Sequence, residues 1–118
     1  MSNGGLVFLS ATELASKIRD KDVSPVEAVE AYLERIAQID PKLNAYITVL
    51  ADEALAEARQ SESDIASGKN NGPLHGVPVG IKDQIHTKGI RTSDASKIRA
   101  DFVPDTDAAV VDGLKRSG

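Results

Sequence analysis

The stretch GPLHGVPVGIKDQIHTKGIRT, residues 72–92, decides how this chain is read. A short apolar run, set off by glycine and proline, ends in a lysine. In a strand, successive side chains point to opposite faces. Val77, Val79 and Ile81 would share one face and pack on a core. Pro78, Gly80 and Lys82 would share the other, which carries little bulk and leaves room beside the amine. Residues 74–83 are therefore expected to form a strand, with Val79 and Ile81 buried and Lys82 at its C-terminal end.

Upstream, two capping boxes mark helix starts. Ser10 with Glu13, and Ser24 with Glu27, each set a hydroxyl three residues before a carboxylate, and Pro25 follows the second serine. Such pairs satisfy backbone N–H groups left free at a helix start. Helices are expected over 11–20 and 25–39, the second carrying Val29, Tyr32, Leu33 and Ile36 at helical spacing. Asp40-Pro41 should end it, because a residue before proline is driven out of the helical region. Residues 44–50, NAYITVL, read as a β-branched strand. A third helix follows from Ala51, with Gly68 as its stop. KNNGP is a turn or loop, and residues 84–104 read as loop with short pieces of structure. A last helix opens at Asp105 or Thr106, with Val110, Val111 and Leu114 on one side. Helices first, then strands alternating with helices, indicate an α/β domain. Two strands make a marginal sheet, so residues 1–118 read as the front part of a larger one.

Composition narrows the function. The 118 residues suffice for one small core, with 41% apolar, 27% charged and only 3% aromatic residues. The net charge of −4 leaves no electrostatic footprint for direct contact with nucleic acid or an anionic membrane. A nucleic-acid-linked role through a partner stays open. There is no cysteine, which fits a reducing cytoplasm. The apolar run Leu6 to Leu9 is too short for a signal peptide or a membrane span.

Lys82 is the sharpest chemical candidate. A neutral lysine at a strand end beside a cavity acts as general base or nucleophile. Desolvation or a neighbouring cation favours that form. Pairing with Asp83 would oppose it, but a continuing strand sends Asp83 to the opposite face. The residues alone leave a second reading open, a solvated lysine where strand meets loop. His75 and His86 lie eleven residues apart without metal-ligand spacing, and His86 reads as a solvated loop residue. Ser93 and Ser96 suit turns, and no Gly-x-Ser-x-Gly elbow or phosphate-binding glycine loop is present.

At GPLHGVPVGIKDQIHTKGIRTS the chain resembles the N-terminal part of the amidase signature family, where a segment like GPLHGVP(V/I)(G/A)IKD precedes (T/V)xGxxT(T/S). The helical lead-in from Ser10 to Val49 and the stretch VPDTDAAVVDGLKRSG, residues 103–118, are also similar, so the resemblance covers roughly residues 9–118. It implies the amidase signature fold and amide hydrolysis or transfer by a Ser–cis-Ser–Lys triad. Lys82 matches the catalytic lysine, which relays a proton through the middle serine to the nucleophilic serine. No cofactor and no metal are expected. Both triad serines and the oxyanion donors belong to a Gly/Ser-rich signature downstream of residue 118, and Ser93 and Ser96 match neither. The 118 residues correspond to about the first quarter of such an enzyme and are expected to be inactive alone.

Three readings follow. The first is an amidase acting on a small amide, alone or as a homodimer. The second is the A subunit of the glutamyl-tRNA(Gln)/aspartyl-tRNA(Asn) amidotransferase, working with B and C subunits. TKGIRTSDASKI is similar to a segment of that protein, although Gln84 and Asp94 depart from its pattern and suit a general amidase equally. The third is a non-catalytic truncated chain or partner-binding module.

Overall fold

A computed structural model describes residues 3–118. After a 3-10 turn at Asn3–Phe8 come four helices: α1 (Ala11–Arg19), α2 (Pro25–Leu43), α3 (Ala51–Ala66) and α4 (Ala109–Arg116). Both capping boxes form. The Glu13 and Glu27 amides donate to the Ser10 and Ser24 hydroxyls at 3.2 and 3.0 Å, and each serine amide donates back to the paired glutamate at 2.8 Å. A cap of this kind contributes about 1 kcal/mol. Gly68 follows the last turn of α3 at φ +85°, its amide bonded to the Ile65 carbonyl, as expected of a C-terminal stop.

The chain divides into two compact units. One is Met1–Pro78 with Ser117–Gly118, and the other is Val79–Arg116. In the first, α2 packs against α3 and against the 3-10 turn. Its core is built from Leu6, Leu14, Ile18, Val23, Ala28 and Ala31, with Tyr32, Ile65 and Val77 packed around it. The second unit is mostly irregular. Backbone bonds from Gly89 to Pro104, Thr92 to Phe102 and Ala108 to His86 tie its loops together at 2.8–2.9 Å.

The expected strands and sheet are not present among the described residues, which contain helices, turns and irregular backbone. Over 44–50, Tyr46, Ile47 and Val49 are exposed. The amides of Ala45 and Tyr46 donate to the Asp40 carboxylate at 2.7 and 3.2 Å instead of to a strand. Over 74–83, Leu74–Gly76 form a turn, and Val79 and Ile81 are exposed rather than buried. β-branched residues favour a pleated surface only when a neighbouring strand supplies pairing and cover.

Two helix boundaries also differ. Helix α2 runs through Pro41 to Leu43 and closes on Asn44 at φ +53°, whose amide donates to the Asp40 carbonyl at 2.7 Å. Proline forfeits one helical hydrogen bond, and here the left-handed Asn44 and the Asp40 carboxylate satisfy the helix end. Helix α4 begins at Ala109 because Asp107 is engaged elsewhere: its carboxylate accepts the Lys88 amide at 2.7 Å and pairs with the Lys115 amine at 2.6 Å.

Gly76 fixes one corner of the first unit. Its φ is +81°, and a Cβ there would sit 2.7 Å from Pro25 Cγ and 3.3 Å from Ile18 Cγ2. Left-handed backbone and close approach both demand glycine. Gly76→Ala is expected to destabilise the fold by about 2 kcal/mol or more, combining backbone strain with overpacking. Thermal or denaturant unfolding checks this, and an unchanged midpoint would contradict the close approach.

Candidate active site

Lys82 lies in the second unit, on irregular backbone directly before a turn at Asp83–Gln84. The Ile85 amide donates to the Lys82 carbonyl at 2.9 Å, closing that turn. The lysine is exposed and has no ion pair among the described residues. Its placement therefore owes nothing to a strand and everything to the turn that follows it.

The Asp83 carboxylate is engaged by Ser93 and forms no ion pair with Lys82 among the described residues. Its Oδ1 accepts the Ser93 amide at 3.0 Å and its Oδ2 accepts the Ser93 hydroxyl. The Asp83 carbonyl accepts the Asp94 amide at 3.0 Å. Asp94 and Ala95 both take left-handed backbone, at φ +52° and +51°. Each such non-glycine residue costs about 1–2 kcal/mol, so the bonds to Asp83 hold a conformation the chain would otherwise leave. Ser93 and Thr92 are buried, while Asp83 is half-buried. Sequence reasoning puts Ser93 at an ordinary turn and misses this link. A serine ten residues past an aspartate has no periodic signature. The available signal is local: Gly89 and the run TSDAS mark a bend able to bring Ser93 back.

Ser96 is half-buried, and its amide closes a turn on the Ser93 carbonyl at 2.9 Å. His86 is half-buried rather than solvated, with its ring 5.4 Å from that of Phe102. His75, in the first unit, is buried and hydrogen-bonds Asn71. Among the described residues no cluster of three or more His, Cys, Asp or Glu is arranged to hold a metal. None of the helices described is long and apolar enough to cross a membrane.

Three carboxyls are held below the usual aspartate range: Asp83 by the Ser93 hydroxyl and amide, Asp64 by the Asn71 and Gln60 amides, and Asp107 by the Lys115 amine and the Lys88 amide. A lowered pKa in the fold means that each contributes stability in full above its unfolded value, about 3.9, and loses it as pH falls through the folded value. Thermal stability is accordingly expected to change little through these groups between pH 7 and about 5, and to drop below about pH 4. Melts across that range check it; a fall centred near pH 6 would point to groups other than these.

A family model described as Amidase matches residues 27–118, a span that contains both Lys82 and the Asp83–Ser93 link. The chain belongs to the amidase signature family. Among curated amidase signature relatives, the A subunit of glutamyl-tRNA(Gln) amidotransferase from Carboxydothermus hydrogenoformans is 46% identical over 113 residues, covering 96% of this chain and 23% of that protein. Its counterpart from Geobacter metallireducens is 49% identical over the same length and coverage. Among solved structures, fatty acid amide hydrolase superposes with a TM-score of 0.92 at 29% identity, covering 98% of this chain and 21% of that one. The chain thus spans about a quarter of the length of the amidase signature proteins it matches. The described residues, helical and without strands, match the N-terminal part of the amidase signature fold.

Proposed function

We propose that these residues are the N-terminal portion of an enzyme that breaks carboxylic amide C–N bonds, with Lys82 as the base of a Ser–cis-Ser–Lys triad. The observation that carries the reading is Lys82 itself. It stands in GVPVGIKD within the matched span, its amine has no ion pair among the described residues, and the neighbouring carboxylate is bonded to Ser93. A carboxylate paired with the amine would favour its protonated form.

In the complete enzyme the neutral amine accepts the proton of the nucleophilic serine, relayed through the middle serine. The serine oxygen bonds to the amide carbon, and the C–N bond breaks as Lys82 returns the proton to the leaving nitrogen. Water then releases the acyl group as a carboxylic acid. The exposure of Lys82 in these residues agrees with a site completed by chain beyond them.

A second reading, the A subunit of the amidotransferase, has its own support: identities of 46% and 49% to such proteins, compared with 29% to the hydrolase. The triad chemistry is the same, with ammonia passed to a partner subunit. A cytoplasmic location is proposed with the amidotransferase reading.

Ammonia release by a full-length chain carrying these residues tests both. Turnover of benzamide or acetamide without partners supports the hydrolase. Amide turnover that depends on B and C subunits supports the amidotransferase. No release under either condition would contradict amide chemistry and leave the partner-binding module. The 118 residues alone are expected to show none, because Ser93 and Ser96 match neither triad serine.

A further inference from the structure

We infer that Asp83 and Ser93 form a positioning device for Lys82: the carboxylate and hydroxyl lock the turn that follows the lysine onto a left-handed loop, and so set where the amine is presented. The inference rests on the reading of Lys82 as the base. Four bonds converge on the two residues at the turn. The Lys82 carbonyl accepts from Ile85, the Asp83 carbonyl from Asp94, and the Asp83 carboxylate from both the amide and the hydroxyl of Ser93. None of them involves the lysine side chain, so the backbone is fixed while the amine stays available. The far end of the link is itself anchored. Ser93 is buried, and the preceding Thr92 is bonded through its amide to the Phe102 carbonyl at 2.9 Å and through its hydroxyl to the Ile90 carbonyl at 3.1 Å. Two consecutive left-handed residues, Asp94 and Ala95, bring their amides back toward Asp83. A surface aspartate serving only solubility would need none of this. The depressed pKa of its carboxyl, whose largest cause is the Ser93 hydroxyl, agrees with a link kept in its charged form.

A base displaced by a fraction of an ångström loses rate without losing affinity for substrate. The test is steady-state ammonia release by the full-length enzyme, with any B and C partners it needs, for Asp83→Ala, Asp83→Asn, Ser93→Ala, the double Asp83→Ala/Ser93→Ala variant and Lys82→Arg. Expected are a fall in kcat of about 100-fold for Asp83→Ala and about 10-fold for Ser93→Ala, with KM within about threefold of wild type in both. Asp83→Asn keeps an acceptor for Ser93 and should recover most of the loss. The double variant should be no worse than Asp83→Ala, since both remove one link. If Asp83→Ala fails to fold, Ser93→Ala, which trims one buried oxygen, decides the matter on the same kcat and KM criteria. Wild-type kcat in folded Ser93→Ala, or in folded Asp83→Ala, with Lys82→Arg inactive, would overturn the positioning role and leave the base intact. Wild-type activity in Lys82→Arg would remove the base, and the positioning role with it. Equal losses in kcat for the alanine and asparagine variants at Asp83 would also overturn the inference, because the link would then not explain the effect.

Discussion

Replacing Lys82 by alanine in a full-length chain is expected to lower amide turnover by about 100- to 10,000-fold, the range that a positioned general base contributes. Serine is a poor nucleophile near neutral pH, and an amide's leaving nitrogen departs only once protonated. Alanine at 82 supplies neither proton transfer. The fold should not suffer, because Lys82 is exposed and its amine has no ion pair among the described residues. A surface change of this kind costs within about 0.5 kcal/mol. Activity and stability should therefore separate: kcat/KM collapses while the melting curve stays in place. A variant that loses both would make Lys82 structural, and one that loses neither would make it a solvated loop residue.

The largest stability effect is expected in the helical first unit. Ile18 is 1% exposed, on the buried face of α1, within the cluster that holds Leu6, Leu14, Val23 and Ala28. Ile18→Ala should cost about 2–5 kcal/mol, the transfer term plus an unfilled cavity. The cost should approach the upper end, since Gly76 already brings the backbone against Ile18 Cγ2 and leaves the neighbours little freedom to collapse. Ile98, 98% exposed in the second unit, is the matched control, and Ile98→Ala should stay within about 0.5 kcal/mol. Denaturant midpoints for the two variants measure the contrast; similar losses would refute the assignment of the core.

What can be read from the sequence is what short-range chemistry decides. The capping boxes at Ser10 and Ser24 and the stop at Gly68 are legible because each depends on residues within one helical turn. The strands are not. NAYITVL and the run from Val77 carry strand composition, but a ladder needs a partner, and no local pattern says whether one is near. Among the described residues Val79 and Ile81 remain exposed, and Val77 finds its place by packing on the helical core. The end of α2 misleads for a related reason. Pro41 carries a steric preference, and Asn44 and the Asp40 carboxylate outweigh it. At the candidate site, the resemblance singles out Lys82, whereas the link between Asp83 and Ser93 joins residues ten apart through a loop without period. Gly76 lies between: a glycine inside an apolar run signals a bend or a close approach, without saying that Pro25 and Ile18 are the neighbours.

Lys82→Arg tests the assignment of the base most directly. Arginine keeps the positive charge and nearly the reach of lysine, but it stays protonated at every pH an enzyme experiences and cannot accept a proton. The measurement is kcat/KM for amide cleavage by full-length Lys82→Arg beside wild type, with circular dichroism to establish that both are folded. A base at residue 82 predicts a folded protein with turnover as low as that of Lys82→Ala. A folded Lys82→Arg enzyme that retains most of the wild-type kcat/KM would contradict it.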